Sequence, residues 1–134
     1  MSENTSRNGN GNGRRSFKLM IVDDSNIIRR RIERVQDLPD IAFVGAARNG
    51  REALEMHARL RPTVVTMDLT MPEMDGGECV ARLVERDPEI LILVISALAD
   101  KLTAIDAIEK GARGFLCKPF TDRQLNNALR KLIE

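Results

Sequence analysis

Six consecutive apolar residues, Ile90 to Ile95 (ILILVI), constrain the fold of this chain more than any other feature. A strand with one face in water alternates apolar and polar side chains. A β-branched run without alternation is a strand buried on both faces. Related runs stand at 17–22 (FKLMIV), 41–46 (IAFVGA), from Val64 to Met67 (VVTM) and at 113–117 (RGFLC). Between them the apolar spacing turns helical. Ser25 can cap a helix with Ile28, Ile32 and Val35 inward and Arg29, Arg30, Glu33 and Arg34 outward, ended by Leu38-Pro39. Asn49-Gly50 reads as a turn before a helix over 52–60, with Ala53, Leu54 and Ala58 inward and Pro62 as its stop. A third helix follows Gly76-Gly77 and buries Val80, Leu83 and Val84 before Pro88. Asp100 can cap a fourth, with Leu102, Ile105 and Ile108 mostly in the core and Gly111 at its end. Thr121 and Gln124 form a capping box for a fifth, which buries Leu125, Ala128, Leu129 and Leu132.

Strand and helix thus alternate five times. That order predicts an α/β class domain, a (βα)5 doubly wound parallel sheet covered on both faces. Right-handed crossovers and a single switch point favour the strand order 2-1-3-4-5.

The chain has 134 residues, one domain by length. Residues 1–16 are rich in Asn, Gly and Ser with almost no apolar content, and are expected to be a disordered tail; residues 17–134 form the domain. The net charge of +1 gives no overall pull towards nucleic acid or membrane, and four Phe with no Trp or Tyr make base stacking a weak theme. Cys79 and Cys117 lack metal-ligand spacing and read as small core residues of a reducing compartment. With no apolar segment of spanning length, the expectation is a cytoplasmic, soluble monomer. His57, the one histidine, is expected near the surface with no functional role.

The chemistry gathers at the strand ends. Strand one ends in Asp23-Asp24, strand three in Asp68, strand four in Ser96 and strand five in Lys118. All five residues fall on the carboxyl edge of the sheet, where open α/β sheets bind ligands. Taken alone, Asp68 reads first as a cap for the next helix. Three clustered carboxylates, however, repel and require cations. Lys118 supplies one charge. A divalent ion would supply the rest, and an oxygen-only donor set favours Mg²⁺, with Mn²⁺ possible, over zinc. Beside a metal, a lysine and a hydroxyl, a carboxylate can attack a phosphoryl group. Asp68, alone on the central strand, is the expected nucleophile, and Asp23 and Asp24 the expected metal pair.

At these residues the chain resembles a known family. VDDS (22–25), MDLTMPEMDG (67–76), ISA (95–97) and KPF (118–120) are similar to the motifs of response regulator receiver domains of the chemotaxis-protein type. The resemblance spans 17–134 and implies a flavodoxin-like receiver fold. It implies that Asp68 accepts a phosphoryl group from a histidine of a partner kinase or phosphotransfer domain. Asp24 would hold Mg²⁺ directly, Asp23 through water, and the Thr70 backbone carbonyl would complete the protein ligands. Lys118 would pair with the phosphoryl group and Ser96 would move towards it. Phe115 would then turn inward, and the surface of helix four, strand five and helix five would change for a downstream protein. The family also implies a cis Lys118-Pro119 peptide. It implies no enzyme beyond self-phosphorylation and autodephosphorylation. The role would be that of a stand-alone receiver in a two-component phosphorelay, chemotaxis-like or intermediate, or of a receiver cut from a larger regulator.

Two departures stand out. Phe115 lacks the hydroxyl of the tyrosine often found there, and the positions that tune hydrolysis are Thr70 and Leu98. A phosphatase using an aspartyl phosphate would need an acid two residues after Asp68, where Thr70 stands. A flavin-binding module would need phosphate-cradling Ser/Thr loops where acids stand instead.

Overall fold

A computed structural model describes residues 16–71 and 74–134. Apart from Ser16, the expected tail lies outside the described residues, as do Pro72, Glu73 and the Leu98 side chain. The elements run β1 (Phe17–Val22), α1 (Asn26–Val35), β2 (Ile41–Ala47), α2 (Gly50–Leu60), β3 (Val64–Asp68), α3 (Gly76–Arg86), β4 (Leu91–Ala97), a 3-10 turn (Leu98–Asp100), α4 (Lys101–Glu109), β5 (Gly114–Lys118) and α5 (Asp122–Ile133). All strand pairs are parallel and the order is β2-β1-β3-β4-β5. The predicted fold class and order are therefore the observed ones.

The absence of alternation is explained by two cores. Successive side chains of a strand point to opposite faces. Met20 and Val22 of β1 join Val65, Met67, Ile92 and Val94 under Ala53, Leu54, Val80, Leu83, Ala104 and Ala107. Leu19 and Ile21 join Val64, Leu93 and Ile95 under Ile32, Leu125 and Leu129. Apolar burial on both faces is the dominant force that closes this fold, worth ~1.5–3 kcal/mol per fully buried large side chain.

Four helices are capped by a side chain that accepts a backbone N–H. Ser25 accepts from Ile28, Asn49 from Glu52, Asp75 from Glu78 and Thr121 from Gln124. Thr121 and Gln124 form the full capping box predicted for them. Asn49-Gly50 is thus not a free-standing turn: Asn49 is the cap and Gly50 the first residue of α2. Asp100 occupies the cap position of α4, but its carboxylate makes no cap bond there.

Three expectations about burial are corrected. The inward stripe of α2 is Ala53, Leu54 and His57, with Ala58 exposed. At 100° per residue, 53, 54 and 57 share a face and 58 lies beyond its edge. His57 is accordingly 2% exposed, not superficial. On α4, Leu102, Ile105 and Ile108 face outward at 82%, 48% and 41% exposure. The buried face is Ala104 and Ala107, small enough for close approach to the sheet and α3. Cys79 is fully buried, which pushes its thiol up to about 12, whereas Cys117 is only half-buried.

Candidate functional site

The strand registers bring the predicted residues together. Asp68 ends β3, Ser96 lies next to last on β4, and Lys118 ends β5; Asp23 and Asp24 follow β1 directly. Asp68 pairs with Ile95 and Ala97 with Lys118, so these ends lie level along one edge. Carboxylate oxygens of Asp23, Asp24 and Asp68 all lie within 4.8 Å of one another. Asp23 and Asp68 are buried and Asp24 is exposed, giving the cluster one open side.

Lys118 reaches both buried carboxylates. Its Nζ lies 3.4 Å from Asp23 Oδ2 and 3.6 Å from Asp68 Oδ1. One ammonium does not balance three carboxylates. Burial, and then the Asp23 charge, push the Asp68 carboxyl up to about 6, against the lowering effects of the Thr70 amide and Lys118. An anionic cluster that remains under this repulsion, made only of oxygen donors, fits a hard divalent cation. Among the described residues no other group of carboxylates, histidines or cysteines could hold a metal.

The loop around the site is held from several directions. Ser25 N–H donates to Asp23 Oδ1 at 2.8 Å, so the helix cap and the acidic pair share one turn. Thr70 N–H donates to Asp68 Oδ1 at 3.2 Å. Gly76 N–H donates to the Leu69 carbonyl at 3.2 Å. Asp75 caps α3, which removes the alternative reading of Asp68 as its cap. Ser96 is 1% exposed, with its hydroxyl weakly directed to the Ala97 carbonyl at 3.4 Å. Phe115 is 40% exposed, so its ring lies on the outer side of β5. The Lys118-Pro119 peptide is cis, as expected.

Three residues make contacts that no sequence pattern signals. Arg29, expected to be solvated, donates to the Asp23 carbonyl at 2.7 Å. Arg31 donates to the Phe120 carbonyl at 2.6 Å, pairs with Asp122 at 3.1 Å and lies 4.6 Å over the Phe120 ring. It thereby ties α1 to the turn that follows Lys118. Thr70 Oγ1 donates to Asp100 Oδ2 at 3.3 Å, joining the loop after Asp68 to the start of α4. Each joins residues at least six positions apart, and those of Arg31 and Thr70 span 30 or more, where no local pattern signals contact.

The chain matches the family described as response regulator receiver domain over residues 19–130. It is 40% identical over 115 residues to the chemotaxis protein CheY of Listeria monocytogenes, covering 86% of this chain and 97% of that protein. It is 43% identical over 114 residues to a protein-glutamate methylesterase/protein-glutamine glutaminase of Pseudoalteromonas atlantica, a match covering 83% of this chain and 30% of that protein. Among solved structures, the response regulator domain of Thermotoga maritima CheB aligns with a TM-score of 0.78 at 32% identity, covering 89% of this chain and 95% of that one. A chain from the Borrelia burgdorferi CheX-CheY-BeF3-Mg complex aligns with a TM-score of 0.81 at 28% identity, covering 88% and 90%. The chain belongs to the response regulator receiver domain family. Within two-component signalling it is a receiver of the chemotaxis type, related to CheY.

Proposed function

We propose that this receiver is switched by phosphorylation of Asp68. The observation that carries the reading is the cluster of Asp23, Asp24 and Asp68 within 4.8 Å, with Lys118 at 3.4 and 3.6 Å from the two buried members. Asp23, Asp24, Asp68 and the Thr70 backbone carbonyl would hold Mg²⁺, or Mn²⁺ in its place. The ion would supply charge neutralisation for the cluster and for an incoming phosphoryl group. An Asp68 carboxylate oxygen attacks phosphorus and forms a P–O bond. The bond from phosphorus to the donor histidine nitrogen breaks, and its electron pair stays on that nitrogen. Lys118 pairs with the added oxygens and Ser96 donates a hydrogen bond to one of them. Phe115 then moves from its exposed position towards the space near Ser96.

The donor is a histidine kinase or phosphotransfer domain, and the output is binding of a protein on α4, β5 and α5, not turnover of a substrate. The exposed Leu102, Ile105, Ile108 and Phe115 on that face support this. No described helix is long and apolar enough to cross a membrane, which supports a cytoplasmic site of action.

The test is incubation with an acyl phosphate and Mg²⁺, followed by intact mass. The chain should gain one phosphoryl group, and Asp68→Asn should gain none. Labelling that persists in Asp68→Asn would refute the assignment. Rapid phosphate release from monoesters would instead favour a phosphatase.

A further inference from the structure

The cap of α4 is unlike the other four. Ser25, Asn49, Asp75 and Thr121 have extended backbones, and each accepts an N–H of its own helix. Asp100 has φ −99° and ψ 30°, and its carboxylate makes no such bond. It accepts the Thr70 hydroxyl instead, at 3.3 Å. Thr70 in turn donates its amide to Asp68 Oδ1 at 3.2 Å. A continuous chain of polar contacts therefore runs from the reacting carboxylate to the first residues of α4.

We propose that Asp100 is a positioning residue with two alternative jobs. In the unphosphorylated protein it holds the Thr70 hydroxyl. When a phosphoryl group occupies Asp68, its oxygens compete for that hydroxyl and their charge repels the Asp100 carboxylate. Asp100 is then free to accept an N–H of the α4 first turn, as the other four caps do. The start of α4 is thus ordered by what sits on Asp68. This rests on Asp68 being the phosphoryl acceptor, and it adds a route, through Thr70, from that residue to the exposed face of α4.

The test uses beryllofluoride with Mg²⁺ as the phosphoryl mimic and the whole chain. Residue-resolved amide exchange should slow at 102–104 on adding the mimic to wild type. Thr70→Val, which cannot hold Asp100, should show slowed exchange at 102–104 before any mimic is added. Asp100→Ala should show no slowing in either state, and Asp100→Asn, which can still cap, should restore it. Unchanged exchange in unliganded Thr70→Val, or exchange at 102–104 that slows in Asp100→Ala on adding the mimic as it does in wild type, would overturn the proposal. If the mimic failed to bind wild type, the Asp68 reading would fail. The exchange of unliganded Thr70→Val would still decide whether Thr70 holds Asp100.

Discussion

Gly76 lies so close to Asp68 that a methyl group at its Cα would sit 2.5 Å from the Asp68 carbonyl oxygen. The same methyl would meet the Leu69 Cα at 2.6 Å. Both are backbone atoms of the segment that carries the Asp68 carboxylate, so neither can swing away. Gly76→Ala should push the loop off α3 and destabilise the fold by ~1–3 kcal/mol, as overpacking does. Urea unfolding measures the loss. The rate of labelling by an acyl phosphate should fall with it, because the displaced backbone is that of Asp68.

The Asp68 carboxyl, raised to about 6 from 3.8, makes metal-free stability depend on pH in a definite direction. Between these values the folded chain binds more protons than the unfolded one, so stability falls as pH rises from about 4 to about 6. The loss should be on the order of 1–3 kcal/mol and should stay lost above that window. Asp68→Asn should not show it, and should melt higher than wild type at neutral pH without metal. Mg²⁺ should narrow that gap by stabilising wild type. Thermal melts at pH 4.5 and 7.5, with and without Mg²⁺, check the sign.

Lys118 is the cation shared by both buried carboxylates. Lys118→Met should leave them unpaired and destabilise the metal-free protein, with Mg²⁺ recovering much of the loss. Phosphoryl uptake should not recover, because the ammonium proposed to pair with the transferred group is gone. A drop of about 100-fold in the labelling rate is expected, the scale of losing one preorganised charge donor. Rate measurements under saturating Mg²⁺ separate the two effects.

His57 is buried with its Nδ1 unpartnered, and burial, then Arg86, lowers its pKa below 6.5. The unfolded chain takes up this proton more readily, so stability should fall as pH drops below about 6.5. His57→Leu removes both the orphaned nitrogen and the proton-linked loss. It should be neutral or stabilising at pH 7.5 and clearly stabilising at pH 5, by ~1 kcal/mol. Chemical denaturation at the two pH values provides the comparison.

The sheet was readable because its signal is local and redundant. A run such as ILILVI is too short for a helix and rich in β-branched residues, which marks it as a buried strand, and five such runs separated by helical patterns leave few topologies. The site was readable for the same reason: strand ends are visible in sequence, and parallel register carries them to one edge. What failed was the assignment of helix faces where small residues compete with large ones. Leu102, Ile105 and Ile108 form an apolar stripe, yet it is Ala104 and Ala107 that take the core. On α2 the stripe was misplaced by one residue, which hid His57. Arg31 and Asp100 were illegible for a different reason, since their partners lie 30 or more positions away.

The contrast between the two cysteines gives the protein a built-in attachment point for a reporter. Cys79 is sealed on the inner face of α3, against the Gly50 carbonyl at the start of α2, with its thiol pushed up to about 12, so alkylating dyes at neutral pH should pass it by. Cys117 is half-buried on β5, next to Lys118 and two residues from Phe115. A fluorophore placed there without any mutation would sit between the charged cluster and the exposed aromatic ring, and its emission would follow their rearrangement in real time.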